Sequence, residues 1–175
     1  MRKILALMLV LGLLLTGSYA YAAGGGAVPG TGTNKKVQDS VWKEHKAEIQ
    51  ALIQTVSQNH KEIAQLKTTD QEKLKQIRVA IKALRKDPNA LTEDKIAQIK
   101  ENMTLVRSDR MEIAGTTGLI LTENLELQMH KRNRDWQGAM ENLNNIIGVQ
   151  QKRMDLLNKL NTDLDNLLTI LKPSV

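Results

Sequence analysis

The sequence contains no cysteine and no phenylalanine, and only two tryptophans and two tyrosines occur among its 175 residues. The lack of cysteine excludes disulfides, thiol catalysis, thiolate zinc sites and lipid attachment through an N-terminal cysteine. The scarcity of aromatic side chains removes the usual lining of a ligand pocket. A core must therefore be built from Leu, Ile, Val, Met and Ala, which suits the narrow seams between long helices.

The first 22 residues have the pattern of a secretory signal peptide. Two basic residues precede an apolar run at positions 4–15, and small residues follow at Ala20 and Ala22. The run is shorter than the ~20 residues that span a bilayer, which disfavours the alternative of an anchoring helix. We predict cleavage after Ala22, with a cut after Ala20 as the alternative. The protein is therefore expected to be exported, to a periplasm or to the extracellular space.

Residues 23–34 contain five glycines, one proline and no charge, a composition typical of a flexible linker. Removal of residues 1–22 would leave 23 of the 25 basic residues against 19 acidic ones, a net charge of +4. From residue 35 to 86 there is neither Pro nor Gly, and apolar residues recur at spacings of three, four or seven. This periodicity predicts an amphipathic helix over 35–86.

Two polar residues interrupt the apolar face of this first helix. Asn59 has the character of a buried residue that sets register or oligomeric state. Asp70 lies within Thr69-Asp70-Gln71-Glu72, which has the form of a capping box and favours a bend in the helix.

Pro88 ends the first helix, because proline cannot continue it and pushes the preceding residue away from helical angles. Thr92 then caps a second helix, predicted over 92–130. The short connection makes the two helices antiparallel neighbours. Gly115 and Gly118 each weaken the second helix by ~1 kcal/mol relative to Ala, although Ala114 and Gly118 could instead admit the backbone of another helix. Period-two alternation at 125–129 leaves a short strand open, but no partner strand is evident.

A third helix is predicted over 134–172, with an apolar face of about three residues in seven that suits a bundle. Its separation from the second helix depends on a polar stretch at 130–135, and one unbroken helix over 92–172 is the alternative. The expected fold is all-α, an elongated antiparallel helical bundle or coiled-coil hairpin of two to four long amphipathic helices within 35–172.

A basic run in the first helix is the main candidate for a binding surface. Residues 73–86 contain six basic residues and no acidic one, and a subset spaced three or four apart lies on one side of the helix. This candidate surface for anionic partners comprises Lys75, Arg78, Lys82, Arg85 and Lys86. The alternative is a solvated face whose charge balances its neighbours, because residues 35–86 have 12 basic and 6 acidic residues whereas 87–175 have 11 and 13. A second basic cluster at 130–134 is interpreted as a surface bend.

No arrangement of residues indicates an enzyme, a cofactor or a metal. His45 and Glu48 could offer two ligands from one helix, but metal sites usually need three or four, and nothing in the spacing makes His60 or His130 converge on them. No nucleophile–base pairing or Gly-rich phosphate loop occurs. Nucleic acid is a poor partner, because export separates the protein from it and no aromatic side chains are available for base stacking.

The stretch Leu91–Lys100 resembles the Leu-Thr-x-x-Gln helix starts of the Spy/CpxP family of periplasmic stress proteins. Lys95 stands where that family has Gln, the match covers ten residues, and no second copy occurs. The resemblance implies ATP-independent chaperone or envelope-stress work.

The resulting hypothesis is an exported, non-enzymatic helical protein that binds macromolecules in the cell envelope. The hypothesis includes a chaperone-like mode of binding and a homo-oligomeric state. Its partner would be a protein or an anionic envelope component, with peripheral membrane contact as one option. The first alternative is a structural coiled-coil spacer or oligomeric surface protein, indicated by Asn59 and Gln150. The second is a membrane-active helical protein that inserts the uncharged segment 113–121.

Overall fold

The computed structural model describes residues 35–84, 86 and 91–172, with side chains from residue 45 onward. Within these residues the chain forms three α-helices and no strand: α1 (Lys35–Leu84), α2 (Glu93–Asn133) and α3 (Trp136–Leu171). The prediction of an all-α bundle is confirmed, and residues 125–129 belong to α2 rather than to a strand. The signal peptide, the linker, Arg85 and the Pro88 connection lie outside the described residues.

The two boundaries of α2 have local causes that the sequence contains. At its start, the Lys95 backbone N–H donates to Thr92 Oγ1 at 3.2 Å, so Thr92 is the N-cap. At its end, Arg134 has a φ of 56°, a left-handed conformation that breaks the helix. Asp135 then caps α3 by accepting the Gly138 N–H at 3.0 Å through Oδ1. The chain thus turns at residues 134–135, within the polar stretch, and 92–172 contains two helices.

No new helix begins at Asp70, because α1 runs without interruption through this position. Thr69 does not cap a new helix: its Oγ1 donates to the Gln65 carbonyl at 3.2 Å, one turn back along the same helix. Asp70 is 4% exposed and belongs to the buried seam. The capping-box pattern was misleading, since a threonine inside a helix can bond the preceding turn instead.

The helices contribute to two compact units, and the first comprises residues 65–113 and 156–172. In this unit α2 and α3 are antiparallel: Lys95 Nζ donates to the Lys172 carbonyl at 2.7 Å, and further along Lys159 Nζ donates to Asp109 Oδ1 at 2.6 Å. Aliphatic side chains from all three helices form its core. The most deeply buried are Ile77, Ile99, Val106, Ile113, Leu164 and Leu171.

The second unit comprises residues 35–64 and 114–155. Its core is an apolar cluster of Ile49, Leu127, Ala139, Met140, Leu143 and Ile146, with Leu52, Val56 and Trp136 packed against it. Here α1 and α3 run parallel, since the cluster pairs Ile49 with residues near 143 while Gln150 Nε2 donates to the Val56 carbonyl at 3.1 Å. Gln150 is 4% exposed and Asn59 is 8% exposed, so both are buried seam residues.

The turn between α2 and α3 requires glycine at position 138. A Cβ built there would overlap with His130 Nδ1 and Cε1 and with Asp135 Oδ2. The same two side chains hold the turn together, with His130 Nδ1 2.7 Å from Asp135 Oδ2. The hydrogen bond from the Gly138 N–H is the main cause that lowers the pKa of Asp135, and the interaction with the His130 ring lowers it further. A carboxylate with a lowered pKa stabilises the fold at neutral pH and loses that contribution as pH falls through its folded-state pKa.

We expect Gly138→Ala to lower the free energy of unfolding by about 1 kcal/mol, because the new methyl group displaces His130 and Asp135 and weakens the N-cap. Gly148→Ala is the matched control: nothing lies within 4 Å of a Cβ at that position of α3. The control should stabilise the protein by about 0.5–1 kcal/mol, since glycine is unfavourable inside a helix. Urea unfolding of both variants measures the two effects, and a stabilising Gly138→Ala would contradict the close packing of this turn.

Candidate functional site

The basic surface predicted on the first helix lies exposed on α1 within the first unit. Lys75, Arg78, Lys82 and Lys86 are all exposed, and their spacings of three and four residues place them along one side of the chain. Arg85, the fifth predicted member, lies outside the described residues. Val79 lies among these cations and is 68% exposed. We call Lys75, Arg78, Lys82 and Lys86 the basic face.

The first lysine of the same run has a different environment. Lys73 points to α3, where its Nζ is 2.5 Å from Asp165 Oδ2 and also donates to the Asn161 carbonyl at 3.2 Å and to Asn161 Oδ1. Its side chain is 17% exposed. Lys73 therefore packs between α1 and α3, and Asp165 of α3 balances its charge. This one lysine fits the alternative in which the basic run is neutralised by the neighbouring helices.

The lysines of the basic face differ from Lys73 in this respect. Among residues 45–84, 86 and 91–172, no ion pair joins Lys75, Lys82 or Lys86 to a carboxylate. Part of the acidic surplus of α2 and α3 is matched by a lysine of α3 itself, because Asp109 pairs with Lys159. Lys75, Lys82 and Lys86 therefore present exposed positive charge along this side of the chain.

The histidines that suggested metal ligands pair with nearby carboxylates. His45 Nδ1 lies 3.2 Å from Glu48 Oε2, three residues along α1, and His130 pairs with Asp135 across the turn. In the part of the chain that the structure describes, no group of three or more His, Cys, Asp or Glu side chains could hold a metal ion.

A cluster of buried carboxylates lies in the first unit, at positions that the sequence patterns did not single out. Asp109 on α2 is fully buried, and Asp163 on α3 is 8% exposed. Burial, the hydrogen bond with Asp109 and the Asp109 charge raise the pKa of Asp163, whereas Lys159 lowers it. The contact with Asp109 raises the pKa of Lys159. A signal was present in the sequence, since Asp109 lies three residues after Val106 and four before Ile113 on the seam of α2.

Asp70 is a second buried acid of this unit, and it lines a cavity of about 30 Å³ together with Arg110, Ile113 and Leu157. Neither of its carboxylate oxygens has a hydrogen-bond partner among the described protein atoms. Burial raises the pKa of Asp70 to about 7, and the charge of Lys73 opposes that shift only partly. Asp70 therefore changes its charge near neutral pH, which an ordinary aspartate does not.

In the second unit α2 has several large apolar side chains on the outside, although Leu127 lies in the core. Leu119, Leu121, Leu125 and Met129 are 51–59% exposed. Ala114, Gly115 and Gly118 are exposed on the same part of the helix, and nothing in the described chain lies within 4 Å of a Cβ built at either glycine. The uncharged segment 113–121 was the sequence signal for this surface.

The inner side of the same helix is partly polar. Arg153, which is 4% exposed, donates from Nη1 to Thr116 Oγ1 at 2.9 Å and to Thr117 Oγ1 at 2.8 Å. Asn142 Nδ2 donates to Glu123 Oε2 at 2.7 Å and to Glu126 Oε2 at 3.1 Å. Polar contacts thus join α2 to α3 in this unit in addition to the buried Leu127, while Leu119, Leu121 and Leu125 face solvent.

Helices α1, α2 and α3, over their described residues, contain no stretch long and apolar enough to cross a membrane. No protein-family model, no curated protein and no solved structure matches this chain. The resemblance of Leu91–Lys100 to Spy/CpxP helix starts therefore stays a prediction.

Proposed function

We propose that this chain is an exported, non-enzymatic helical protein that binds anionic macromolecules of the cell envelope through the basic face. The observation that carries the proposal is the row of exposed lysines on α1 whose charge is not matched by carboxylates among the described residues. Export is supported by the N-terminal pattern of the sequence. A non-enzymatic role is supported by the lack of any catalytic arrangement in the sequence motifs.

The shape of the basic face favours an extended partner over a small anion. Lys75, Arg78 and Lys82 span seven residues of α1, which at ~1.5 Å per residue is about 10 Å, and Lys86 follows just after the end of the helix. Lysine is a flexible point charge, so a row of lysines attracts a chain of charges without demanding a fixed geometry. The exposed Val79 adds apolar contact at the middle of the row. Acidic polymers, acidic polypeptide segments and anionic lipid headgroups share this chemistry.

Reversing two charges of the basic face should abolish most of the binding. We expect Lys75→Glu/Lys82→Glu to weaken binding to poly-L-glutamate at least tenfold and to flatten the dependence of affinity on salt, because exposed charges interact through a screened field. Lys100→Glu/Lys152→Glu is the matched control, since it makes the same change in net charge at two other exposed lysines. Fluorescence anisotropy at two salt concentrations measures both variants.

Equal weakening by the two double variants would contradict the proposal, because it would mean that only net charge matters. Vesicles of phosphatidylcholine with and without phosphatidylglycerol form the second arm of the experiment. Binding to the anionic vesicles but not to the polypeptide would assign the face to lipid headgroups, and the reverse result would assign it to acidic chains.

A chaperone-like version of this function is the second candidate, and the exposed Val79 within the basic face favours it. Unfolded polypeptides present both charge and apolar side chains, and the face offers a contact for each. Suppression of the aggregation of a denatured test protein, at near-stoichiometric ratio, is the assay. A lack of suppression at excess would remove this version and leave the binding of folded anionic partners.

A further inference from the structure

We infer that the outer side of α2 in the second unit is a homodimer interface, on which the same helix of a second copy packs antiparallel. The surface consists of Ala114, Gly118, Leu121, Thr122, Leu125 and Met129, and we call it the α2 seam. The inference does not depend on the proposed function, because the basic face belongs to the other unit of the chain.

The spacing of the α2 seam is that of a helix-packing surface. Apart from the neighbours Leu121 and Thr122, its members follow one another at three or four residues, so they form one continuous side of α2. All of them are exposed, and Leu121 and Leu125 are each 55% exposed. Contiguous apolar patches on the surface of a helix mark interaction sites.

The glycines indicate that the partner is a helix. Gly115 and Gly118 each weaken α2 by ~1 kcal/mol relative to Ala, and no group of the described chain lies within 4 Å of a Cβ at either position. Packing among the described residues therefore does not require glycine at position 115 or 118. A missing Cβ is useful to a second helix, whose backbone can then approach closely, whereas a flexible chain or a lipid surface has no use for it.

The α2 seam itself contains no charged side chain. Between Ala114 and Met129 the only charged residues of α2 are Glu123 and Glu126, and their carboxylates accept hydrogen bonds from Asn142 Nδ2 of α3. Two copies of the seam can therefore pack together without burying a charge.

The order of small and large residues selects a second copy in the antiparallel orientation. The N-terminal half of the seam is small, with Ala114 and Gly118, and the C-terminal half is large, with Leu125 and Met129. A two-fold axis between Leu121 and Thr122 would set Leu125 opposite Gly118 of the second copy and Met129 opposite Ala114. Large side chains would then meet small ones along the whole contact, which is how well-packed helices interdigitate. A parallel pair would instead place glycine on glycine and leucine on leucine.

The absence of native cysteine makes this arrangement directly testable by disulfide cross-linking. Gly118→Cys and Leu125→Cys are prepared separately from the full 175-residue sequence, one with a size tag, and oxidised with diamide alone and as an equimolar mixture. In the antiparallel dimer the mixture should form the cross-linked heterodimer at least ten times faster than either variant links to itself. Disulfides require Cβ atoms within ~4.5 Å, so the pairing is specific.

Self-linking of each variant, with no gain in the mixture, would overturn the antiparallel arrangement in favour of a parallel one. No linking in any sample would overturn the interface, and sedimentation equilibrium provides an independent measure of it. The wild-type protein and Val79→Glu, which changes an exposed valine elsewhere, should have twice the monomer mass. Leu125→Glu should be monomeric. A Leu125→Glu variant that keeps its mass but no longer suppresses aggregation would reassign the seam to unfolded clients.

Discussion

Replacement of Asp70 by asparagine is expected to raise the free energy of unfolding at pH 8 by about 2–4 kcal/mol. The carboxylate is 4% exposed, and neither of its oxygens has a hydrogen-bond partner among the described protein atoms. At pH 8 the folded protein must therefore hold a buried charge that Lys73 compensates only partly. Asp70→Asn removes the charge and keeps the shape. Asp70→Leu should stabilise further, because the cavity of about 30 Å³ beside it leaves room for apolar atoms.

The wild-type protein should gain stability as pH falls, for the same reason. The pKa of Asp70 is about 7 in the folded state and 3.8 in the reference state, so the folded state binds the proton more tightly. The destabilisation is fully present above pH 7 and is relieved as pH falls from about 7 towards 4. Asp163, whose pKa is also raised, contributes in the same direction. The Asp70→Asn variant should have a much smaller slope of stability against pH in this window.

Urea unfolding at pH 8, 6.5 and 5 measures both effects of the Asp70 substitutions. Asp155→Asn is the matched control, because Asp155 is an exposed acid of α3 and its replacement should change stability by less than about 0.5 kcal/mol. A loss of stability in Asp70→Asn at pH 8 would show that the carboxylate makes favourable interactions in solution, and it would contradict the burial penalty.

Replacement of Lys159 by methionine is expected to lower the free energy of unfolding at pH 8. Lys159 is the cation beside Asp109, which is fully buried, and its Nζ lies 2.6 Å from Asp109 Oδ1. Removing one partner of a buried pair usually costs 3–5 kcal/mol, because the other charge stays desolvated. The expected value is smaller here, since the Lys159 side chain is 55% exposed and solvent screens part of the interaction.

The effect of Lys159→Met should shrink at low pH. Burial and Asp109 raise the pKa of Asp163, so this carboxyl group takes up a proton more readily than an ordinary aspartate as the solution is acidified. Once Asp163 is neutral, it no longer repels the Asp109 carboxylate, so the loss of Lys159 costs less free energy. The double variant Asp109→Asn/Lys159→Met should recover at least half of the loss at pH 8, because it removes the fully buried Asp109 charge together with its partner.

The double variant also provides the control for the shape of the methionine side chain. Equal destabilisation in the single and double variants would mean that Lys159 acts through its aliphatic chain rather than its charge, and the electrostatic account would be wrong. A pH-independent loss in the single variant would contradict the role of Asp163. Urea unfolding at pH 8 and pH 5 distinguishes these results.

Local signals predicted most of the secondary structure. The apolar period over 35–86 corresponds to α1, and the Thr92 hydroxyl accepts the N–H that a cap should accept. These features depend on residues within one or two turns of each other, so the sequence contains all the information needed. The capping-box pattern at Thr69–Glu72 did not start a new helix, because the Thr69 hydroxyl bonds the Gln65 carbonyl of the preceding turn instead. The side chain of Asp70 is buried with the apolar residues on either side of it along α1.

The candidate sites were predictable only in part. The row of lysines on α1 could be read from spacing alone, because three- and four-residue intervals place side chains together whatever the neighbours are. The separate environment of Lys73 could not, since it depends on Asn161 and Asp165, about 90 residues further along the chain. The outward position of Leu125 and Met129 was equally hidden, because a periodic pattern does not say which side of a helix faces the core.

The sequence by itself determined that this protein is helical and that α2 begins after Thr92. It also determined that the core contains no disulfide and few aromatic side chains. Those properties follow from composition, periodicity and capping, which act over short distances along the chain. Only the tertiary structure decided which charges are matched, which acids are buried and which side of α2 stays exposed. The physical reason is that desolvation and ion pairing depend on neighbours in space, and for Asp109 and Lys159 these lie 50 residues apart in the chain.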